Sequence, residues 1–242
     1  MDSSRLIVAL DLDRIEVATA LAKKLRGAVG LFKVGSQLFT SEGPRAVEKL
    51  ADAGANIFLD LKFHDIPTTV AKAVAAAVKL PRVRLLTLHA SSGTAAMRAA
   101  REAAGDKKNR PKLLGVTVLT SFDAATLREI GMPGTIEARA VALAELAQKA
   151  GLDGAVCSRF EAQAIRRACG SKFLILIPGV RPSHDAANDQ SRIGTPADAI
   201  RAGANYLVVG RPITAAPDPR AAAQAIANEI ASASLQSRQA AV

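Results

Sequence analysis

The stretch FLDLKFHDIPTTV, residues 58–70, contains the pattern that decides the fold of this chain. An apolar run leads into Asp60, Lys62 follows two residues later, and Pro67 opens an Ala- and Val-rich segment with helical spacing. Residues two apart on a strand share a face, so Asp60 and Lys62 should project together, with Cα atoms roughly 6.5 Å apart. Ionised groups at such a position are normally paired or functional. With Asp65 nearby, the pattern indicates either a structural ion pair or a working site.

Short apolar strands alternate along the chain with longer amphipathic helices. The predicted strands cover residues 5–11, 30–35, 56–62, 83–89, 113–120, 153–158, 173–178 and 205–210. The predicted helices cover residues 14–27, 42–53, 67–79, 93–104, 136–150, 159–169, 196–202 and 219–233. Because the strands are almost continuously apolar rather than alternating, they are typical of strands buried on both faces in a parallel sheet.

This alternation predicts an α/β protein with a (β/α)₈ TIM barrel as a single domain over residues 1–242. Eight units in 242 residues average about 30 residues each, the size of a lean barrel. A doubly wound open sheet is the alternative, but it usually has fewer strands and a GxGxxG fingerprint after the first strand. Here DLDRIE stands at that place. We expect the residues from about 232 onwards to form a flexible tail.

Composition limits the classes of partner. Hydrophobic residues make up 49% of the chain, which predicts a sizeable core, and aromatic residues make up only 3%. Proteins that bind single-stranded nucleic acid stack bases on aromatic side chains, so we expect no nucleic-acid partner. The formal charge of +10 comes from dispersed Lys and Arg residues. It indicates a solvated basic surface, with steering of anionic metabolites as an additional effect.

The sequence also predicts a cytoplasmic location. No apolar run approaches the length of a membrane span, so we expect no membrane association. Acidic residues interrupt the N-terminus before a signal-like apolar core is complete. Cys157 and Cys169 match no metal-binding spacing and are expected to be ordinary thiols.

Polar residues gather where the predicted strands end, which is where a TIM barrel carries its active site. The candidates at these strand ends and in the loops after them are Asp11, Lys33, Asp60, Lys62, Asp65, His89, Thr120, Ser121, Pro178, Arg181, Gly210 and Arg211. Lys33 stands inside the apolar string LFKVG, so its ammonium group requires a carboxylate partner. Asp60 and Asp65 are the expected partners in an array of alternating acids and lysines.

Two loops predict an anion-binding region. Residues 178–196 form a long loop without helical or strand pattern, and such loops are usually lids or disordered segments. This loop carries Arg181, Gln190 and Arg192. In the string VVGRPIT, Gly210 allows close approach of a backbone N–H, and Arg211 can bind two oxygens at once. Barrels often bind phosphate with the loops after strands seven and eight.

The histidines do not predict a metal site. His64, His89 and His184 are scattered along the chain, whereas metal ligands follow characteristic spacings. His64 is expected to pack or to form a structural hydrogen bond, and His184 to be solvated. For His89, a structural role and a place in the site remain equally open. The chain has neither a GxSxG motif nor a candidate Ser–His–Asp triad.

The string LDLKFHDIPTTV resembles the D-x-K-x-x-D signature, followed by I-P-x-T, of the orotidine 5′-phosphate decarboxylase family of the bacterial type. The resemblance covers nearly the whole chain through the strings IVALDLD, FKVGSQLF, VTVLTS, IPGVRP, DQSR and VVGRPIT. Thr68 stands where the family usually has Asn, at a position to which no chemistry is assigned.

The resemblance implies a (β/α)₈ barrel that forms a homodimer with active sites at the interface. It implies decarboxylation of orotidine 5′-phosphate to UMP and carbon dioxide, without a metal or an organic cofactor. In this reaction Lys62 would be the proton donor to C6, and Asp60 would lie against the substrate carboxylate.

The resemblance also implies which residues bind the rest of the substrate. Asp11 and Lys33 would hold the ribose hydroxyls, with Lys33 joining the charged array. Thr120 would contact the pyrimidine, and Asp65 and Thr69 would reach into the partner subunit's site. The remaining implied residues, at the lid and the phosphate, are Pro178, Arg181, Gln190, Gly210 and Arg211.

Two alternatives remain in competition. Sister enzymes with the same D-x-K-x-x-D motif, such as 3-keto-gulonate-6-phosphate decarboxylase and hexulose-phosphate synthase, use Mg²⁺. The FHDIP context, the long PGVRP…DQ loop and the position of Lys33 argue against them. A non-catalytic basic protein that binds nucleic acid would instead show salt-dependent DNA retention that survives Lys62→Ala.

Overall fold

The computed structural model describes residues 3–182 and 194–239, in which parallel strands close into an eight-stranded barrel. The strands are β1 (Leu6–Ala9), β2 (Leu31–Gly35), β3 (Ile57–Phe63), β4 (Val83–His89), β5 (Lys112–Val116), β6 (Gly154–Val156), β7 (Leu174–Pro178) and β8 (Tyr206–Val209). They follow chain order, and β1 closes the barrel against β8, with Ile7 opposite Val208. The predicted barrel is confirmed, and this closed order is incompatible with a doubly wound open sheet.

Helices surround the barrel. They are α1 (Ile15–Lys24), α2 (Ser36–Glu42), α3 (Arg45–Asp52), α4 (Pro67–Ala77), α5 (Gly93–Ala104), α6 (Ala124–Glu129), α7 (Ile136–Lys149), α8 (Arg159–Cys169), α9 (Pro196–Arg201), α10 (Arg211–Thr214) and α11 (Pro219–Gln239). The sequence prediction missed α2, α6 and α10, which have only 7, 6 and 4 residues. Segments this short contain too few turns for a helical period to be recognised. Within residues 3–182 and 194–239, no helix has the combined length and apolarity of a membrane span.

The largest differences between the predicted and the observed element boundaries lie at the ends of β5 and α11. β5 ends at Val116, whereas the sequence predicts a strand through residue 120. The chain turns after β5, and the Phe122 N–H donates to the Leu119 carbonyl at 3.0 Å. At the other end of the chain, α11 continues to Gln239, whereas the sequence predicts a tail from about residue 232. Ala233 is only 2% exposed, so the apolar face of the helix stays packed to this residue, whereas Leu235 is 62% exposed.

The strands separate two layers of core. The side chains packed inside the barrel belong to Ile7, Ala9, Leu31, Phe58, Leu85, Leu114, Val116, Val156, Leu176 and Val208. The alternate strand residues point outwards and pack against the helices, which explains why the strands are apolar on both faces. Because side chains two apart share a face, Lys33 follows Leu31, Asp60 follows Phe58 and Thr87 follows Leu85 on the inner side. The inner layer nearest the carboxyl ends is therefore polar.

The repeated string AGAN fixes the amino-terminal ends of two strands. Gly54 and Gly203 adopt positive φ angles of +84° and +97° in the loops that lead into β3 and β8. Each Asn carboxamide then accepts a guanidinium hydrogen bond, at 3.3 Å from Arg82 to Asn56 and at 2.8 Å from Arg166 to Asn205. These loops are helix-ending glycine turns, as the sequence predicts.

Candidate active site

A cavity of about 610 Å³ lies at the carboxyl ends of the strands. It is lined by most of the residues that the sequence predicts for the site, namely Asp11, Lys33, Asp60, Lys62, Thr120, Pro178, Arg181, Gly210 and Arg211. Thr120 belongs to the loop after β5, because the strand ends earlier than predicted. Asp65 and Thr69 line a different crevice, and Gln190 lies outside the described residues.

Four charged side chains form an alternating array across the floor of this cavity. Lys33 Nζ lies 2.7 Å from Asp11 Oδ1 and 3.9 Å from Asp60 Oδ2. Lys62 Nζ donates to the same Asp60 oxygen at 2.8 Å. Asp60 is only 8% exposed, so its charge depends on the two ammonium groups. The array is therefore Asp11–Lys33–Asp60–Lys62 within one chain.

The array corrects one expected partner of Lys33. The sequence predicts pairing with Asp60 and Asp65, but Asp11 takes the closest position instead. Among the described residues, Asp65 of the same chain forms no ion pair, and its Oδ1 accepts a hydrogen bond from the Ile66 N–H at 2.6 Å. The reason is geometric: Asp65 lies in the loop beyond the end of β3 and not on its inner face.

Gly35 leaves the space in which the Lys33 ammonium group lies. A Cβ on Gly35 would be 2.5 Å from Lys33 Nζ and 3.1 Å from Asp11 Oδ1. Gly35 is also opposite Asp60 in the strand register. Its φ of −98° is accessible to any residue, so space and not backbone conformation requires glycine here. The sequence analysis did not identify Gly35, because a missing side chain gives no chemical signal.

The end of β3 departs from regular strand geometry. Leu59 pairs with Leu86 and Phe63 pairs with Leu88, so three residues of β3 face only Thr87 on β4. Such a bulge redirects side chains and interrupts the ladder of backbone hydrogen bonds. The bulged residues include the acid and the lysine of the array.

Thr87 bridges the bulge with its hydroxyl group. Its Oγ1 accepts a hydrogen bond from the Lys62 N–H at 3.0 Å and donates to Asp60 Oδ1 at 2.9 Å. Thr87 is fully buried, and Lys62 has a φ of +50°, which is uncommon for a residue other than glycine. Thr87 was not among the predicted site residues, although it is the one hydroxyl residue in the string VRLLTLH.

Two arginines add positive charge to the cavity wall formed by β7, β8 and the segments after them. Arg181 is only 6% exposed, and its N–H donates to the Gly194 carbonyl at 3.1 Å. Gly210 is the residue before α10, and Arg211 opens that helix. Guanidinium groups bind the oxygens of carboxylates and phosphates through charge-assisted hydrogen bonds. Residues 183–193 of the predicted lid, with Arg192 and His184, lie outside the described residues.

Asp65 and Thr69 lie apart from the other predicted site residues of the same chain. They line a crevice of about 280 Å³, whose wall Lys62 shares with the main cavity. Residues 64–69 are all exposed, and Ile66 has 66% of its surface in solvent. This segment is thus an exposed strip, part polar and part apolar, beside the cavity.

His89 packs next to the array. Its ring centroid lies 5.1 Å from that of His64, so the two rings are in contact, although His64 itself is exposed. Burial lowers the pKa of His89 below its ordinary value of 6.5, and the charges of His64 and Lys62 lower it further, while Asp60 opposes them. The neutral imidazole is therefore favoured beside Lys62.

Metal ligands do not cluster in the part of the chain that the structure describes. Within residues 3–182 and 194–239, no three His, Cys, Asp or Glu side chains are arranged to hold a metal ion. Cys157 and Cys169 are both buried thiols, in agreement with the sequence prediction.

Comparison with known sequences gives a consistent set of relatives. The pattern of the orotidine 5′-phosphate decarboxylase / HUMPS family matches residues 4–226. The chain is 52% identical over 230 residues to an orotidine 5′-phosphate decarboxylase of Nitrosococcus oceani, covering 95% of this chain and 99% of the relative. It is 50% identical to the enzyme of the same name from Trichlorobacter lovleyi, covering 94% of this chain and 95% of the relative.

Solved structures give the same result. The crystal structure of an orotidine 5′-phosphate decarboxylase from Lactobacillus acidophilus superposes with a TM-score of 0.82 at 38% identity, covering 93% of this chain and 98% of that one. That of the enzyme from Pyrococcus horikoshii has a TM-score of 0.76 at 25% identity, with 93% and 99% covered. The similarity therefore extends over the whole barrel and not only over its signature.

Proposed function

The chain belongs to the orotidine 5′-phosphate decarboxylase / HUMPS family, and we propose that it converts orotidine 5′-phosphate to UMP and carbon dioxide. This reaction is the last step of de novo pyrimidine nucleotide synthesis. One observation carries the assignment: a single cavity joins the Asp11–Lys33–Asp60–Lys62 array to Arg181 and Arg211. Such a cavity fits a substrate with a reacting carboxylate at one end and a phosphate at the other.

The reaction needs electrostatic stabilisation more than covalent catalysis. The bond between C6 and the carboxylate carbon breaks, carbon dioxide leaves, and the electron pair stays in an sp² orbital on C6. The ring π system cannot delocalise this pair. Enzymes lower barriers by about 8–23 kcal/mol, and this reaction requires a value near the upper end. A fixed positive charge beside C6 supplies stabilisation that grows as the carbanion forms.

Lys62 is the proposed source of both the charge and the proton. Its ammonium group is held at 2.8 Å from Asp60, inside the cavity. It stabilises the carbanion and then donates its proton to C6, which completes UMP. The neutral amine regains a proton from water. Asp60 lies against the substrate carboxylate and disfavours the bound ground state relative to neutral carbon dioxide.

The remaining cavity residues bind the parts of the substrate that do not react. Asp11 and Lys33 hold the ribose hydroxyls, and Thr120 contacts the pyrimidine. The proposed grip on the phosphate and the lid consists of Pro178, Arg181, Gln190, Gly210 and Arg211. Binding energy from a remote phosphate can be used to close a lid and raise kcat, rather than affinity alone.

The active form in this proposal is a homodimer with shared sites. Asp65 and Thr69 line the outer crevice and not the main cavity of their own chain. The exposed strip 64–69, with Ile66 at its centre, is suited to burial against a second copy. Asp65 and Thr69 of each chain then complete the site of the partner subunit.

The proposed chemistry is tested by turnover in the presence of a chelator. Loss of orotidine 5′-phosphate is followed spectrophotometrically with and without EDTA. We expect the same rate in both, since Lys62 and the array act without a metal ion. Loss of turnover on chelation, with recovery on adding Mg²⁺, would instead favour the chemistry of 3-keto-gulonate-6-phosphate decarboxylase or hexulose-phosphate synthase.

A further inference from the structure

The side chain of Thr87 is buried at the larger of the two places where β3 and β4 lose their register. Between the pairs Leu59–Leu86 and Phe63–Leu88, it is the sole residue of β4 opposite three residues of β3. A regular parallel ladder would satisfy the Lys62 N–H with a carbonyl of the neighbouring strand. Here the Thr87 hydroxyl accepts that hydrogen bond at 3.0 Å.

The same hydroxyl orients the Asp60 carboxylate. A threonine hydroxyl has one proton to donate, and this proton goes to Asp60 Oδ1 at 2.9 Å. The other carboxylate oxygen, Oδ2, is then the one that faces Lys62 at 2.8 Å and Lys33 at 3.9 Å. One hydroxyl therefore fixes both the rotation of the acid and the backbone of the lysine.

From this geometry we propose that Thr87 is a positioning residue for the decarboxylation, acting through Asp60 and Lys62. The inference rests on the proposed function, because it assigns Thr87 to the reaction carried out by that array. Thr87 is not among the residues that line the cavity, whereas Asp60 and Lys62 are. Its function is to hold the bulged end of β3 so that the ammonium group and the carboxylate meet the substrate in one geometry.

The hydrogen bonds separate this role from that of an ordinary buried threonine. Thr117 is 5% exposed, and its hydroxyl donates to the Val156 carbonyl at 2.8 Å on the neighbouring strand. It is thus a buried threonine of the same barrel whose hydroxyl donates to a backbone carbonyl and not to the array. Thr117→Val is therefore a matched control for Thr87→Val, since both remove one buried hydroxyl.

The test measures kcat, KM and the Kd of UMP for Thr87→Val, Thr87→Ser and Thr117→Val. For Thr87→Val we expect kcat to fall roughly 10²-fold, the cost typical of a misplacement of about 1 Å. UMP binding should stay near that of the wild type, because the arginines that bind phosphate are far from Thr87 in the strand order. Thr87→Ser keeps the hydroxyl and should recover most of kcat.

A second readout does not depend on activity. The amide proton of Lys62 should exchange with solvent faster in Thr87→Val than in the wild type or in Thr117→Val, because its acceptor is gone. Equal kcat in Thr87→Val and Thr117→Val would overturn the positioning role. If the wild type does not act on orotidine 5′-phosphate, the proposed function fails. In either case, an exchange rate of the Lys62 amide proton that is the same in Thr87→Val and in the wild type would show that Thr87 does not hold the end of β3.

Discussion

Substitution of Gly35, which lies beside the array, tests whether activity depends on the position of Lys33. In Gly35→Ala, the new methyl group would lie 2.5 Å from Lys33 Nζ, which is the far end of a flexible side chain and can move aside. The fold should therefore tolerate the change, while Lys33 loses its place between Asp11 and Asp60. We expect a Tm near that of the wild type and a kcat/KM lowered roughly 10²-fold, as displacements of about 1 Å commonly cause.

Gly154→Ala is the contrasting variant for this prediction. There the methyl group would lie 2.3 Å from the Leu174 carbonyl oxygen, which is backbone and cannot move aside cheaply. Gly154→Ala should have a lower Tm than the wild type, while the molecules that remain folded should keep the wild-type activity. The contrary result is a Tm lowered as much in Gly35→Ala as in Gly154→Ala, with an unchanged kcat/KM of the folded molecules. Gly35 would then have only a structural role, and activity would not depend on the position of Lys33.

At the residue scale, the sequence predicts charges better than it predicts the groups that place them. Asp60 and Lys62 stand out because ionised groups at the end of an apolar strand need a reason to be there. Gly35 and Thr87 do not stand out, because their roles depend on atoms of neighbouring strands. The pairing of Lys33 with Asp11 was missed for the same reason, since the register between neighbouring strands is not visible in one sequence.

At the scale of elements, β4 ends on a titrating group, His89. Burial lowers the pKa of His89 below 6.5. Between that lowered pKa and 6.5 the unfolded chain binds more protons than the folded chain, so the free energy of unfolding rises with pH in this window. The contribution of neutral His89 to the free energy of unfolding is full above pH 6.5 and is lost as the pH falls through the pKa of the folded state.

His89→Gln should therefore weaken the dependence of Tm on pH just below 6.5. The measurement is Tm by calorimetry at several pH values between 5 and 7.5, for the wild type, His89→Gln and Thr117→Val. Thr117→Val removes a buried group that does not titrate, so it should shift Tm equally at each pH. An undiminished pH dependence in His89→Gln would show that another group causes the loss of stability in acid.

Elements with a strong and long pattern were predicted with their observed bounds, as for β4 (Val83–His89), α5 (Gly93–Ala104) and α8 (Arg159–Cys169). The error at β5 arises beside the cavity. Val118 and Leu119 continue the apolar run beyond the end of the strand, and both line the cavity, although Val118 is also buried in the core. Hydrophobic pattern alone cannot distinguish a residue that packs in a core from one that lines a binding site.

At the scale of the whole molecule, the proposed dimer divides each site between two chains. Asp65→Ala and Lys62→Ala homodimers should both be nearly inactive. After subunit exchange in an equal mixture, half of the dimers are mixed and one of their two sites is intact, so about a quarter of the sites should recover. The turnover rate of the mixture, compared with the turnover rate of each variant alone, measures the fraction of recovered sites.

Exchange itself has to be followed independently, for example by mass spectrometry of differently tagged chains. Mixed dimers without recovered activity would contradict the shared site. A protein that is monomeric while fully active would contradict it as well.

The most direct test of the account is the rate of Lys62→Ala on orotidine 5′-phosphate. Lys49→Ala serves as the control, since Lys49 is an exposed lysine on α3. Lys62→Ala should lower kcat by at least about 10³-fold, because it removes the stabilising charge and the proton donor together, while the folded variant still binds UMP. A kcat for Lys62→Ala equal to that of Lys49→Ala would contradict the assignment of the chemistry to this array.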